Sequence, residues 1–177
     1  MTKNILFLVA HPNIEKSILN KKIVKNIKNK YNNNIIIRKL YNIYPNFKIK
    51  IEEEINILFK INCIVFQFPL YWYSYPSLLK EWKDQVLTKL YYDNNKILYG
   101  KHLLVSITTG SDKKSFHAGK KNNFTIDEFL RPIQQTAYLF HMIYHGYVHI
   151  SISSIKKNDN LNQYTDKMIY KINQWIK

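Results

Sequence analysis

The sequence has one cysteine, Cys63, in 177 residues, so an internal disulfide is excluded and a reducing, cytoplasmic setting is expected. Its longest clean apolar run, Ile5–Ala10, falls far short of the roughly 20 residues that cross a bilayer, and no membrane span is expected. Met1-Thr2-Lys3-Asn4 leads directly into that run without a small-residue cleavage site after it, so no secretory leader is expected. Glycine numbers 4, and neither a G-x-G-x-x-G turn nor a P-loop lysine motif occurs. There is no repeat and no proline- or glycine-rich linker, and residues 1–177 read as a single domain.

Acidic residues are also scarce, 12 against 27 lysines and arginines, which gives a net charge of +15. Such an excess draws nucleic acid or an anionic surface. However, only Arg38 and Arg131 are arginines, and the lysines are spread through nearly every segment rather than clustered as on a nucleic-acid binder. The abundance of lysine, asparagine, isoleucine and tyrosine fits an A/T-rich coding bias, and no nucleic-acid partner is expected. Hydrophobic residues make up 46% and charged residues 22%, so the chain is expected to fold.

Ile5–Ala10 reads as a strand buried on both faces. From Ser17 as N-cap, Ile18, Leu19, Ile23 and Ile27 recur at helical spacing. Residues Ile35–Tyr41 predict a second strand and Cys63–Phe68 a third, ended by Pro69, with a short helix around Ile55, Leu58 and Phe59 between them. Pro76 can open a helix whose buried stripe is Leu78, Leu79, Trp82 and Val86. Leu103–Thr108 is a fourth strand, Thr125 and Glu128 have capping-box spacing ahead of Phe129, Ile133 and Ala137, Tyr147–Ile152 is a fifth strand, and Leu161–Trp175 a closing helix. Five strands alternating with helices predict an α/β fold: a parallel, flavodoxin-like sheet in the order 2-1-3-4-5 with helices on both faces.

In such a sheet, ligands bind beyond the carboxyl ends of the strands, at the switch in strand order. Three loops leave those ends. After strand one, Ser17 and the free N–H groups of its helix form an anion site to which His11 can add a donor; alternatively Ser17 is a plain cap and His11 an ordinary loop residue. After strand three, Phe68–Pro76 is dense in aromatics that suit a planar heteroaromatic ring, or equally a core or dimer surface. After strand four, Gly110 in Thr108-Thr109-Gly110-Ser111 suggests a close backbone approach to a ligand or a positive φ, or a plain turn. All three loops follow strands that are neighbours in the expected order.

These elements together, Ala-His-Pro with Ser17 and Asn20, then Phe-Pro-Leu-Tyr-Trp-Tyr-Ser-Tyr-Pro followed by Leu-Leu-Lys-Glu-Trp, then Ile-Thr-Thr-Gly, resemble the NAD(P)H:quinone oxidoreductase family of flavodoxin-like flavoproteins. Within it, the bacterial ancillary proteins of glutathione-regulated potassium-efflux systems are most similar, and Leu40–Phe47 matches their Leu-Tyr-x-Tyr-Pro-x-Phe element. The resemblance implies FMN rather than FAD, with NAD(P)H as hydride donor and a quinone as acceptor. It places His11, Ser17, Ile18, Leu19 and Asn20 at the phosphate and ribityl end, Leu70, Tyr71, Trp72 and Tyr73 at the ring, and Thr108, Thr109, Gly110 and Ser111 at its pyrimidine edge. It also implies a homodimer with substrate sites at the subunit boundary. An alternative role is that of a regulatory subunit on the cytosolic face of a potassium-efflux transporter, peripheral to the membrane. Where larger members relay charge and proton through a tyrosine and a histidine, this sequence has Phe116 and the Lys121/Asn122 region, so the catalytic residue is open, with His117 the adjacent candidate.

His141, His145 and His149 are spaced by four, but Gly146 is expected to end a helix between the last two, and no metal is assigned. Cys63 reads as a small buried hydrophobe, and Glu52, Glu53 and Glu54 as partners of a helix dipole. Tyr138, Phe140, Met142 and Tyr144 exceed one buried stripe, so part of that surface is a candidate dimer contact.

Overall fold

The computed structural model describes residues 4–157 and 161–175; the expectation for the first three residues falls outside them. Five strands, β1 (Asn4–Val9), β2 (Ile35–Lys39), β3 (Ile61–Pro69), β4 (His102–Thr109) and β5 (Ile143–Ser151), form one parallel sheet in the order β2-β1-β3-β4-β5. The fold and strand order are those expected from the sequence. The central strand β3 is buried at nearly every position, which explains its unbroken apolar character: both faces of the sheet are covered, so no side of the strand has to be polar.

Helix α1 (Ile18–Tyr31) and helix α8 (Leu161–Asn173) cover one face, packing Ile23, Ile27 and Met168 on Ile5, Phe7 and Val65. The other face carries α2 (Leu40–Ile43), α3 (Ile51–Phe59), α4 (Ser77–Trp82), α5 (Thr88–Tyr92) and α6 (Ile126–Leu139), and α7 (Ile152–Lys157) follows β5 directly. The capping box at Thr125 and Glu128 is present in full. Between α4 and α5 the chain widens into a π-type turn, Lys83–Leu87, so the single helix expected there is interrupted.

Some boundaries differ from the sequence reading. The second strand stops at Lys39, and Leu40-Tyr41 turn into α2, which drives Leu40 and Tyr44 into the core. Phe140 and Met142 are also core residues, leaving Tyr138 and Leu139 as the exposed pair on that surface. Strand β5 begins four residues earlier than expected, so His145 and His149 both lie on a strand rather than astride a helix end. Gly146 forms a bulge in β5: His145 and Gly146 stand opposite Leu104 alone, and Gly146 adopts φ +71°. The bulge reverses side-chain parity, turning His145 toward Trp175 after α8, while Tyr147 faces the α6 side.

Glu54 is not merely a partner of the helix dipole. Its carboxylate is fully buried, ion-paired with Arg38, and accepts hydrogen bonds from Tyr44 OH at 2.6 Å and Trp82 Nε1 at 3.0 Å. This cluster ties β2, α2, α3 and α4 together. Burial, reinforced by the neighbouring carboxylate, pushes the Tyr44 hydroxyl up to about 12, so it remains a donor at any ordinary pH.

Candidate functional site

The three loops meet at the carboxyl ends of β1, β3 and β4. The first begins when Ala10 N–H donates to Gln67 C=O at 2.9 Å, extending the β1–β3 ladder by one bond. The chain then breaks at Pro12, and Asn13 N–H donates to His11 Nδ1 at 3.1 Å, so neutral His11 carries its proton on Nε2. Burial holds His11 below the usual imidazole range, which favours that neutral donor. Ser17 caps α1, its hydroxyl oxygen accepting from Asn20 N–H at 3.1 Å and Asn20 Nδ2 at 3.0 Å. The N–H groups of Ile18 and Leu19 precede any carbonyl the helix can offer them, which leaves a donor pair at the positive end of a 14-residue helix.

The second loop starts with Leu70 N–H donating to Thr108 C=O at 2.9 Å. Tyr71 and Ser74 then exchange two backbone hydrogen bonds, both 2.9 Å, around Trp72 and Tyr73, which sit at φ 48° and 65°. Two successive positive φ values are the mark of a hairpin turn that Asn-Gly usually fills. An indole and a phenol ring at these positions carry strain of order 1–3 kcal/mol per residue. Trp72 is 92% exposed at the tip, and Tyr73 leans on Phe129 of α6 with ring centroids 5.2 Å apart.

The loops enclose a cleft of about 250 Å³. His11, Ser17, Ile18, Leu19, Asn20, Leu70, Tyr71, Thr108, Thr109 and Gly110 line it, and Lys16, Pro69 and Ile152 join them. Trp72, Tyr73 and Ser111 do not line it: the first two stand beyond its rim, and Ser111 offers its carbonyl to Thr109. Gly110 lacks the positive φ suggested as one of its roles; a Cβ built there meets nothing within 4 Å, because the position opens onto the cleft. His117 is exposed and away from the cleft, Phe116 is buried in the core, and Asn122 donates to Ser115 Oγ at 2.8 Å.

Beneath the cleft runs a buried polar chain with no motif to announce it. Asn20 Nδ2 also reaches Thr108 Oγ1 at 3.0 Å, and Gln67 Nε2 donates to Asn20 Oδ1 at 2.7 Å. Gln67 Oε1 in turn accepts from Ser106 Oγ, which is bonded to Tyr164 OH of α8. The only sequence signal is a polar residue flanked by apolar ones inside each of two strands, Gln67 in Cys63–Phe68 and Ser106 in Leu103–Thr108. Their side chains are completely buried, so each must be hydrogen-bonded, and the chain fixes the amide of Asn20 in one orientation at the cleft floor.

The three spaced histidines do not converge. His141 occupies a left-handed turn after α6, His145 pairs with His102 at 2.8 Å, and His149 pairs with Thr109 at 2.7 Å. Cys63 is buried, and burial pushes its thiol up to about 12, which keeps it protonated and inert.

Comparison with known proteins places the arrangement in context. The family model described as a flavodoxin-like fold matches residues 3–172. The chain is 40% identical over 161 residues to YrkL, an uncharacterized NAD(P)H oxidoreductase of Bacillus subtilis (strain 168), covering 86% of this chain and 91% of that protein. It is 39% identical over 135 residues, 75% of this chain and 74% of the other, to the glutathione-regulated potassium-efflux system ancillary protein KefF of Salmonella schwarzengrund. Among solved structures, an NADPH-quinone reductase of P. pentosaceus superposes with a TM-score of 0.81 at 29% identity, covering 93% of this chain and 94% of that one.

Proposed function

The chain belongs to the flavodoxin-like family of NAD(P)H oxidoreductases, and from that membership we propose that it is an FMN-dependent NAD(P)H:quinone-type oxidoreductase. The observation that carries the reading is the convergence of three strand-end loops on one cleft that has an anion site at one end and hydroxyl and amide groups along its floor. The residues present suit that cofactor. The N-terminus of α1, with Lys16 beside it, supplies helix dipole, N–H donors and a cation for a phosphate, and His11 adds the proton on Nε2. Asn20 and Thr108 offer fixed polar atoms for a polyol chain. The Tyr71–Ser74 turn and the open side of Gly110 leave room for a flat ring system.

When bound, FMN would supply the redox chemistry, taking hydride from NAD(P)H and passing electrons to a quinone. The chain's own task is to orient the ring, keep the Asn20 amide fixed and exclude water on one side. A cleft of about 250 Å³ is smaller than the roughly 300–1,000 Å³ of a closed small-molecule site. A cofactor of this size is therefore held along one face and open on the other, which supports a homodimer whose second subunit completes the pocket.

A second reading, a regulatory subunit on a potassium-efflux transporter at the cytosolic membrane face, rests on the likeness to KefF. Among the described residues no helix is long and apolar enough to cross a membrane, and this role requires none. Titration of purified protein with FMN, followed by NADH and NADPH oxidation with a soluble quinone, tests the first reading. Saturable uptake of a yellow chromophore and quinone-dependent turnover are expected, and protein that stays colourless overturns it. Turnover that is negligible while the protein co-purifies with a transporter favours the second.

A further inference from the structure

His149 stands on β5 beside the last residue of β4, and its Nε2 lies 2.7 Å from Thr109 Oγ1. The Thr109 hydroxyl also reaches Ser111 C=O at 2.6 Å. A hydroxyl has one hydrogen, and the carbonyl can only accept, so the hydrogen goes to Ser111 and His149 Nε2–H must be the donor to Thr109. This fixes the neutral tautomer and leaves Nδ1 as the atom that takes a further proton. Thr109 lines the cleft whereas His149 does not, so one hydroxyl separates a titratable ring from the site.

The surroundings keep that ring neutral while the cleft carries no added negative charge. Phe116 stands edge-on at 6.0 Å, and burial, with Lys113 nearby, holds the imidazole down to about 4 against the opposing pull of Asp112. From α6, Asp127 engages Tyr147 OH at 3.2 Å, and residues 152–154 of α7 bring no titratable side chain. Helix α8 packs on the opposite face of β5.

We propose that His149 is a positioning residue that takes up a solvent proton when negative charge arrives in the cleft, tightening its bond to Thr109 and setting the third loop against that charge. This rests on the FMN reading. The two electrons come from the nicotinamide donor of that reaction and the proton from water, so at pH values between its oxidised-state and reduced-state titrations His149 gains one positive charge per reduction cycle and releases it on reoxidation.

The test uses FMN-loaded wild-type protein and H149Q, which keeps a side-chain N–H but cannot titrate. The midpoint potential of each is measured between pH 4 and 8, and the His149 imidazole of wild-type protein is titrated by NMR in the oxidised and reduced forms. An extra proton makes the wild-type potential fall more steeply with pH than that of H149Q by about 30 mV per unit between the oxidised-state and reduced-state titrations of His149, and the slopes converge above them. The His149 titration is expected to rise by at least two pH units on reduction. Equal slopes with an unmoved imidazole, in protein that binds FMN, overturn the inference alone; wild-type protein that binds no FMN removes both it and its premise. If H149Q does not fold, the wild-type NMR titration decides.

Discussion

Asn20 and Gln67, 47 residues apart in the sequence, are joined by a 2.7 Å hydrogen bond from the Gln67 amide to Asn20 Oδ1 beneath the floor of the cleft. Asn20 is thus held from three sides, by Ser17, Thr108 and Gln67, and presents one fixed edge. The Asn20 amide is preorganised by a residue in the central strand, and that residue is held by Ser106 and, behind it, Tyr164.

Gln67→Leu is therefore expected to lower stability by about 2 kcal/mol or more, since Asn20 Oδ1 and Ser106 Oγ lose buried partners. FMN affinity should fall with it. Denaturant unfolding and FMN titration of the variant check both, and unchanged affinity in a folded variant would show that Asn20 orientation does not matter for binding.

The Arg38–Glu54 pair gives a second prediction. Glu54→Leu leaves the mostly buried Arg38 without its carboxylate and is expected to cost about 3–5 kcal/mol, whereas Arg38→Met combined with Glu54→Leu should recover only part of that loss, because Tyr44 OH and Trp82 Nε1 still lack their acceptor. A double-mutant cycle in urea measures the recovery; additive losses would mean the two side chains are not coupled.

Acid sensitivity follows from the histidines. In the unfolded chain they titrate near 6.5, whereas burial holds His149 and His145 down to about 4 in the folded protein. Between those values the unfolded chain binds more protons, so stability is full above about pH 6.5 and is lost as pH falls toward 4. His149 should contribute about 2 kcal/mol to that loss, and the more exposed His145 less. Unfolding free energies measured at pH 7 and pH 4.5 test this, and the profile of H149Q should be flatter; an identical profile would refute the assignment.

The strained turn predicts opposite effects on stability and binding. Trp72→Gly relieves a positive φ and is expected to raise stability by up to about 1 kcal/mol. If the exposed indole closes over a bound ring, FMN affinity should drop by about 1 kcal/mol, or fivefold. Thermal unfolding and FMN titration separate the two; unchanged affinity assigns Trp72 to another surface.

Gly110→Val should leave the fold intact, because its φ is ordinary and nothing lies within 4 Å of an added Cβ. The branched side chain instead projects into the cleft and should abolish FMN retention. Normal cofactor content in this variant would exclude the third loop from the site.

The alternation of strands and helices, and with it the sheet and the three loops that meet at its carboxyl edge, were legible from sequence because the elements arise from local chemistry and parallel crossovers leave few ways to join them. Continuous apolar runs such as Ile5–Ala10 and the capping residues Ser17 and Thr125 act on their own neighbours, and loops after adjacent parallel strands must meet. Tertiary contacts decided the rest. Burial of Leu40 in the core and of Tyr44 against Glu54 ended β2 early, the bulge at Gly146 settled which face each β5 histidine takes, and the polar chain from Asn20 to Tyr164 links two strands and two helices. Sequence spacing fixes which side chains share a face of one element. A hydrogen bond between residues 40 or 100 apart depends on how separate elements pack, and only the folded molecule specifies that.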